Sequence, residues 1–148
     1  MFIKINELAR AMYDNYWTDD FNKAYLDPYS GAIIYDNEDK QKLPDAEREE
    51  WISLPAAPFH DIAYDYLDIC LNAKEKIRFI ESFKTIKEPS EIVIYFDNRM
   101  YKSGFLLSWY NYLSDRLIEN AKSWCYENNY KFTDKYYFKR NGGLFSDY

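Results

Sequence analysis

The sequence predicts an α+β fold, with a short β-hairpin or small antiparallel sheet packed among four to five helices, one of them long and in the second half of the chain. Three observations carry this. Between Phe105 and Asn128, Leu106, Tyr110, Leu113, Leu117, Ala121 and Trp124 recur at steps of four or three, and Leu107, Ile118 and Cys125 widen the same seam. Ala24 to Tyr35 holds two strand-like runs separated by Asp27-Pro28-Tyr29-Ser30-Gly31, which reads as a hairpin turn. Asp61 to Asn72 sets Ile62, Tyr66 and Ile69 on one helical line, with Ala63, Leu67, Cys70 and Leu71 beside it.

In order along the chain, residues 5–16 place Ile5, Leu8, Ala9, Met12, Tyr13 and Tyr16 at helical spacing, with Asn6 as the expected cap. The hairpin follows. Asp36 to Glu50 is acidic and polar, expected as a loop and then a short helix from Pro44-Asp45. Trp51 to Pro55 reads as a short extended segment ended by proline. After the Asp61–Asn72 helix, a third spans Ala73 to Thr85 with Ile77, Phe79, Ile80 and Phe83 on its apolar side. Residues 91–102 fit two patterns. Glu91 to Phe96 has strand composition, whereas Ile92, Phe96, Arg99 and Met100 would share a helical face, and the helix is preferred. Gly104 precedes the long helix, and Asn128-Asn129 offers a left-handed stop. Tyr130 to Phe132 and Tyr136 to Phe138 read as short edge segments. Residues 1–148 are expected to form one domain, with 133–148 an edge segment or mobile tail.

Apolar residues at 47% and aromatics at 20% suit a packed core rather than disorder. The net charge of −6 is unevenly placed. Residues 1–70 carry 15 acidic and 6 basic side chains, a net −9, while residues 71–148 carry 10 and 13, a net +3. Phosphate binding needs a basic footprint, so the first half is a poor surface for nucleic acid and a better one for a basic protein. No apolar run reaches membrane length, and the first residues lack a signal-peptide core, so a cytoplasmic protein is expected. Cys70 and Cys125 stand outside any metal spacing and are expected as reduced thiols.

Residue types for chemistry are scarce. His60 is the one histidine, which removes His-based zinc sites and leaves Ser-His-Asp catalysis a single candidate base. The four glycines, Gly31, Gly104, Gly142 and Gly143, form no phosphate loop. Asp36-Asn37-Glu38-Asp39-Lys40 fails the calcium-loop pattern, because Gln41 replaces the glycine at the sixth position. No catalytic set, cofactor site or metal site is expected.

One surface stands out. Asp61, Asp65 and Asp68 share a helical face with Tyr64 beside them, and no Lys or Arg lies between Arg48 and Lys74. Asp36, Glu38, Asp39, Glu47, Glu49 and Glu50 extend the acidic region upstream. A solvated face would look the same, but the pattern also fits a docking surface with a tyrosine anchor. The expectation is a non-enzymatic acidic protein that neutralises a basic partner, in concrete form an immunity protein inhibiting a bacterial toxin such as a nuclease. The alternatives are a housekeeping regulatory or structural domain and a phage-type inhibitor that mimics nucleic acid.

Three segments in sequence also resemble uncharacterised protein family 0158, small bacterial proteins of unassigned function. They are Tyr25-Leu26-Asp27-Pro28-Tyr29-Ser30-Gly31-Ala32-Ile33, then Ile52-Ser53-Leu54-Pro55, then Ala121-Lys122-Ser123-Trp124-Cys125-Tyr126-Glu127-Asn128. The order covers roughly residues 3–132 and departs from the family between about Glu88 and Gly104. The resemblance implies an α+β fold with a hairpin among helices, and no catalytic residue or cofactor.

Overall fold

The computed structural model describes residues 2–18, 23–36 and 50–134. The short helix expected near Pro44, and the segment at Tyr136 to Phe138, lie outside them.

The chain opens with a feature the periodicity did not suggest. Strand β1 (Ile3–Lys4) pairs in parallel with β5 (Phe132–Thr133), placing Ile3 opposite Phe132. Helix α1 (Ile5–Trp17) begins immediately after β1. Asn6 is therefore inside the first turn rather than capping it, because strand pairing fixes Lys4 as the last extended residue. Helix α1 buries Ile5, Leu8, Ala9, Met12 and Tyr13, and it packs chiefly along the long helix described below.

Strands β2 (Lys23–Leu26) and β3 (Ile33–Asp36) form the expected antiparallel hairpin, with Lys23 opposite Asp36 and Leu26 opposite Ile33. Asp27 holds the turn, accepting the Tyr29 N–H at 2.9 Å and the Ser30 hydroxyl at 2.9 Å. Gly31 takes a φ of 79°, a left-handed geometry that favours glycine. Strand β4 (Ile52–Ser53) adds to the other edge of β2, giving the order β3-β2-β4.

Four helices follow: α2 (Phe59–Cys70), α3 (Ala73–Phe83), α4 (Pro89–Lys102) and α5 (Leu106–Glu127). Asn72 caps α3 by accepting the Glu75 N–H at 2.9 Å, which is why α2 stops at Cys70 and not at Asn72. Residues 91–102 are helical, as preferred. Helix α4 buries Ile92, Phe96 and Met100, whereas Ile94, which a strand would have placed on the same face as Ile92 and Phe96, is 60% exposed. Helix α5 spans the expected residues and stops where Asn129 turns left-handed at φ 59°. The fold class is the α+β arrangement expected, with five helices among the described residues.

The core is an aromatic node. Trp109 of α5 is fully buried, with its ring 4.4 Å from Phe96 of α4 and 5.9 Å from Phe59 of α2. Phe79 of α3 packs edge-on against Phe96 at 5.3 Å, so four helices converge on these rings. Trp109 stands outside the six-residue seam read from the sequence. Three seam assignments are corrected: Ile69, Ile77 and Leu107 are exposed, the first two at the edge of the apolar arc of their helices and Leu107 in the first turn of α5.

Candidate functional site

Helix α2 divides its residues between core and solvent. Phe59, Ile62, Ala63, Tyr66 and Leu67 are buried, which turns Asp61, Asp65 and Asp68 outward, and all three are exposed. The stripe anticipated from spacing is therefore a real surface feature. Its charge is not left to itself, however. Arg116 of α5 reaches across to Asp65, donating from Nη1 at 2.8 Å, and donates to the Tyr112 hydroxyl at 2.6 Å. Lys76 of α3 pairs with Asp68. Asp61 lies in the first turn of α2, where the helix dipole favours a carboxylate. The cations that sequence proximity did not supply come from other helices.

Tyr64 is half-buried and sits edge-on to His60 at 6.2 Å and to Phe83 at 6.1 Å. His60 is exposed on the first turn of α2, and its Nε2 is hydrogen-bonded to the Tyr16 hydroxyl at 2.7 Å. Burial first, and then Tyr64, push the Tyr16 phenol up to about 12, so it keeps its proton at neutral pH. Tyr16, His60 and Tyr64 thus form an aromatic strip beside Asp61. Of the remaining acidic residues, Glu50 is exposed, and Asp36 closes β3 opposite Lys23. Glu38, Asp39, Glu47 and Glu49 lie outside the described residues.

Two carboxylates that the pattern reading did not single out are half-buried by the fold. Asp97 accepts Trp109 Nε1–H at 3.0 Å and the Tyr110 hydroxyl at 3.2 Å, and burial raises its pKa. Asp14 accepts the Tyr35 hydroxyl at 2.9 Å and is raised for the same reason. Both tie helices or sheet to the core. The hint in the sequence was position alone: Asp97 follows Phe96 on the buried line of its helix.

Two recesses lie on the surface of the described residues. One, of about 360 Å³, lies between α1 and α4 and is lined by Tyr13, Trp17, Val93 and Ile94, with Arg10 and Asp14 among its walls. The other, of about 480 Å³, lies between the end of α5 and the segment leading into α2. Among the described residues, no group of three or more His, Cys, Asp or Glu is arranged to hold a metal, and no helix is long and apolar enough to cross a membrane.

No family model, curated protein or solved structure matches the chain. What the site can do thus follows from its own chemistry. Exposed carboxylates with aromatic neighbours attract and orient cationic side chains. Among the described residues, the groups at this face include carboxylates, the Arg116 and Lys76 cations that pair with two of them, phenols and an imidazole bonded to a phenol.

Proposed function

We propose that this is a non-enzymatic binding protein whose acidic face neutralises a basic protein partner, in concrete form an immunity protein that inhibits a bacterial toxin. The observation that carries this reading is the outward face of α2, where Asp61, Asp65 and Asp68 are exposed while the opposite face is committed to the core. Three carboxylates there do nothing for packing. Their internal pairs with Arg116 and Lys76 involve exposed carboxylates, and exposed ion pairs are worth only about 0–1 kcal/mol. A partner's Lys or Arg can therefore take them over at little cost. The Tyr16–His60–Tyr64 strip supplies aromatic anchors of the type that dominate binding hot spots.

The deciding experiment is affinity purification after co-expression with the adjacent open reading frame, at low and then raised salt. A basic, growth-inhibiting protein should be retained at low salt and lose its toxicity in the complex. Asp61→Lys with Asp65→Lys should weaken that complex by about a hundredfold or more, since two attractive contacts become repulsive. Retention that is indifferent to the double charge reversal would favour a regulatory or structural domain instead. No retained basic partner at low salt would remove the reading's support.

A further inference from the structure

The groove between the end of α5 and the segment entering α2 is lined by Pro55 and Pro58 on one side and by Asn120, Trp124, Glu127 and Asn128 on the other. We infer that it is the receptor for a single arginine or lysine side chain of the basic partner, an inference that rests on the binding function proposed above. The walls suit such a side chain. Pro55 and Pro58, both exposed, offer apolar surface for the aliphatic stem, and Trp124, whose ring stacks on Tyr130 at 5.4 Å, offers an aromatic surface for the cation. The polar groups, Glu127 and the amides of Asn120 and Asn128, can accept from a guanidinium or ammonium.

Charge decides the sign. Among the described residues, Glu127 is the one charged group of the lining, and it is the last residue of α5, at the negative end of the helix dipole. The last turn of α5 holds no basic residue to offset it. A carboxylate there is repelled by the helix it ends, so its presence costs stability that packing does not explain. The N-terminus of α2 approaches from the other side, but Asp61 in its first turn opposes that positive end. The groove volume of about 480 Å³ is in the range of sites that enclose small ligands. The α1–α4 recess, by contrast, holds one charge of each sign in Arg10 and Asp14, and so selects neither.

The test is an NMR titration of the full chain with N-acetyl-arginine amide, using the citrulline analogue as a neutral control of the same shape. The expected result is saturable shifts at the Trp124 indole N–H and at the Asn120 and Asn128 side-chain amides, with no response to citrulline. Glu127→Gln should weaken the arginine probe by about tenfold, the loss of one charge-assisted contact, while melting at the same or a higher temperature. Shifts confined to Asp61, Asp65 and Asp68, unaffected by Glu127→Gln, would overturn the groove and leave the acidic-face reading standing. No saturable shift anywhere would overturn the groove as well. Failure of the binding function itself is read separately, from the absence of a retained basic protein at low salt.

Discussion

Asn15 holds Ala24 by both of its backbone groups: Oδ1 accepts the Ala24 N–H at 2.7 Å, and Nδ2 donates to the Ala24 carbonyl at 3.1 Å. The same Nδ2 donates to the Leu54 carbonyl at 3.1 Å. Strand β4 pairs Ser53 with Tyr25, so the next rung would have joined Leu54 to Ala24. The buried amide of Asn15 stands in for that rung and fastens the sheet to α1.

Replacing Asn15 with Ala leaves the Ala24 N–H and two carbonyls without these partners in the core. The expected loss is about 3 kcal/mol, set by the cost of buried polar groups left unsatisfied. Urea unfolding measures it. A loss below about 1 kcal/mol would mean that water takes over those bonds.

Asp97 is predicted to make stability depend on pH in the unusual direction for an acid. Burial raises its native pKa above the ordinary 3.8, and the bonds from Trp109 and Tyr110 offset this only in part. The native carboxyl then holds its proton more tightly than the unfolded one, so this contribution to stability falls as pH rises from 3.8 through the raised value. Asp97→Asn retains hydrogen-bonding groups for both partners without the buried charge. Its stability relative to the parent should increase between about pH 3 and pH 7, as read by urea melts across that range. A difference constant with pH would argue against the assignment.

The ion pair between Asp65 and Arg116 should contribute little to folding and compete with a partner for Asp65. Both side chains are partly or largely exposed, and a double-mutant cycle with Asp65→Ala and Arg116→Ala should give a coupling of no more than about 1 kcal/mol. Arg116→Ala also frees Asp65 for the partner. Its complex should therefore be as tight as the parent's or tighter, and weaker binding would assign Arg116 to the interface itself.

The two thiols should behave differently. Burial pushes Cys125 up to about 11 and it is fully covered, whereas Cys70 is raised by burial but only half-covered. At about pH 8 a thiol reagent should label Cys70 slowly in the native protein and reach Cys125 only after denaturation. Rapid native labelling of both would contradict the packing of α5 at Cys125.

Much of this is legible in the sequence. Helix α5 could be read end to end because its seam persists over many turns and Asn129 supplies a stop. The hairpin followed from Asp27, Pro28 and Gly31, whose backbone preferences act locally. The stripe of Asp61, Asp65 and Asp68 followed from helical spacing alone.

By itself, then, the sequence determined the α+β class, the helix and strand segments with strong periodicity, and the outward carboxylates of α2, since these depend on interactions within a few residues. Tertiary structure decided what depends on distant partners. Residues 92–100 are helical because Phe96 meets Trp109, and the start of α1 is set by Phe132, far along the chain. Arg116 neutralises Asp65 across 51 residues, and Asn15 completes a sheet to which it does not belong. Each of these contacts is between groups that no local pattern relates, so only the folded chain brings them within bonding distance.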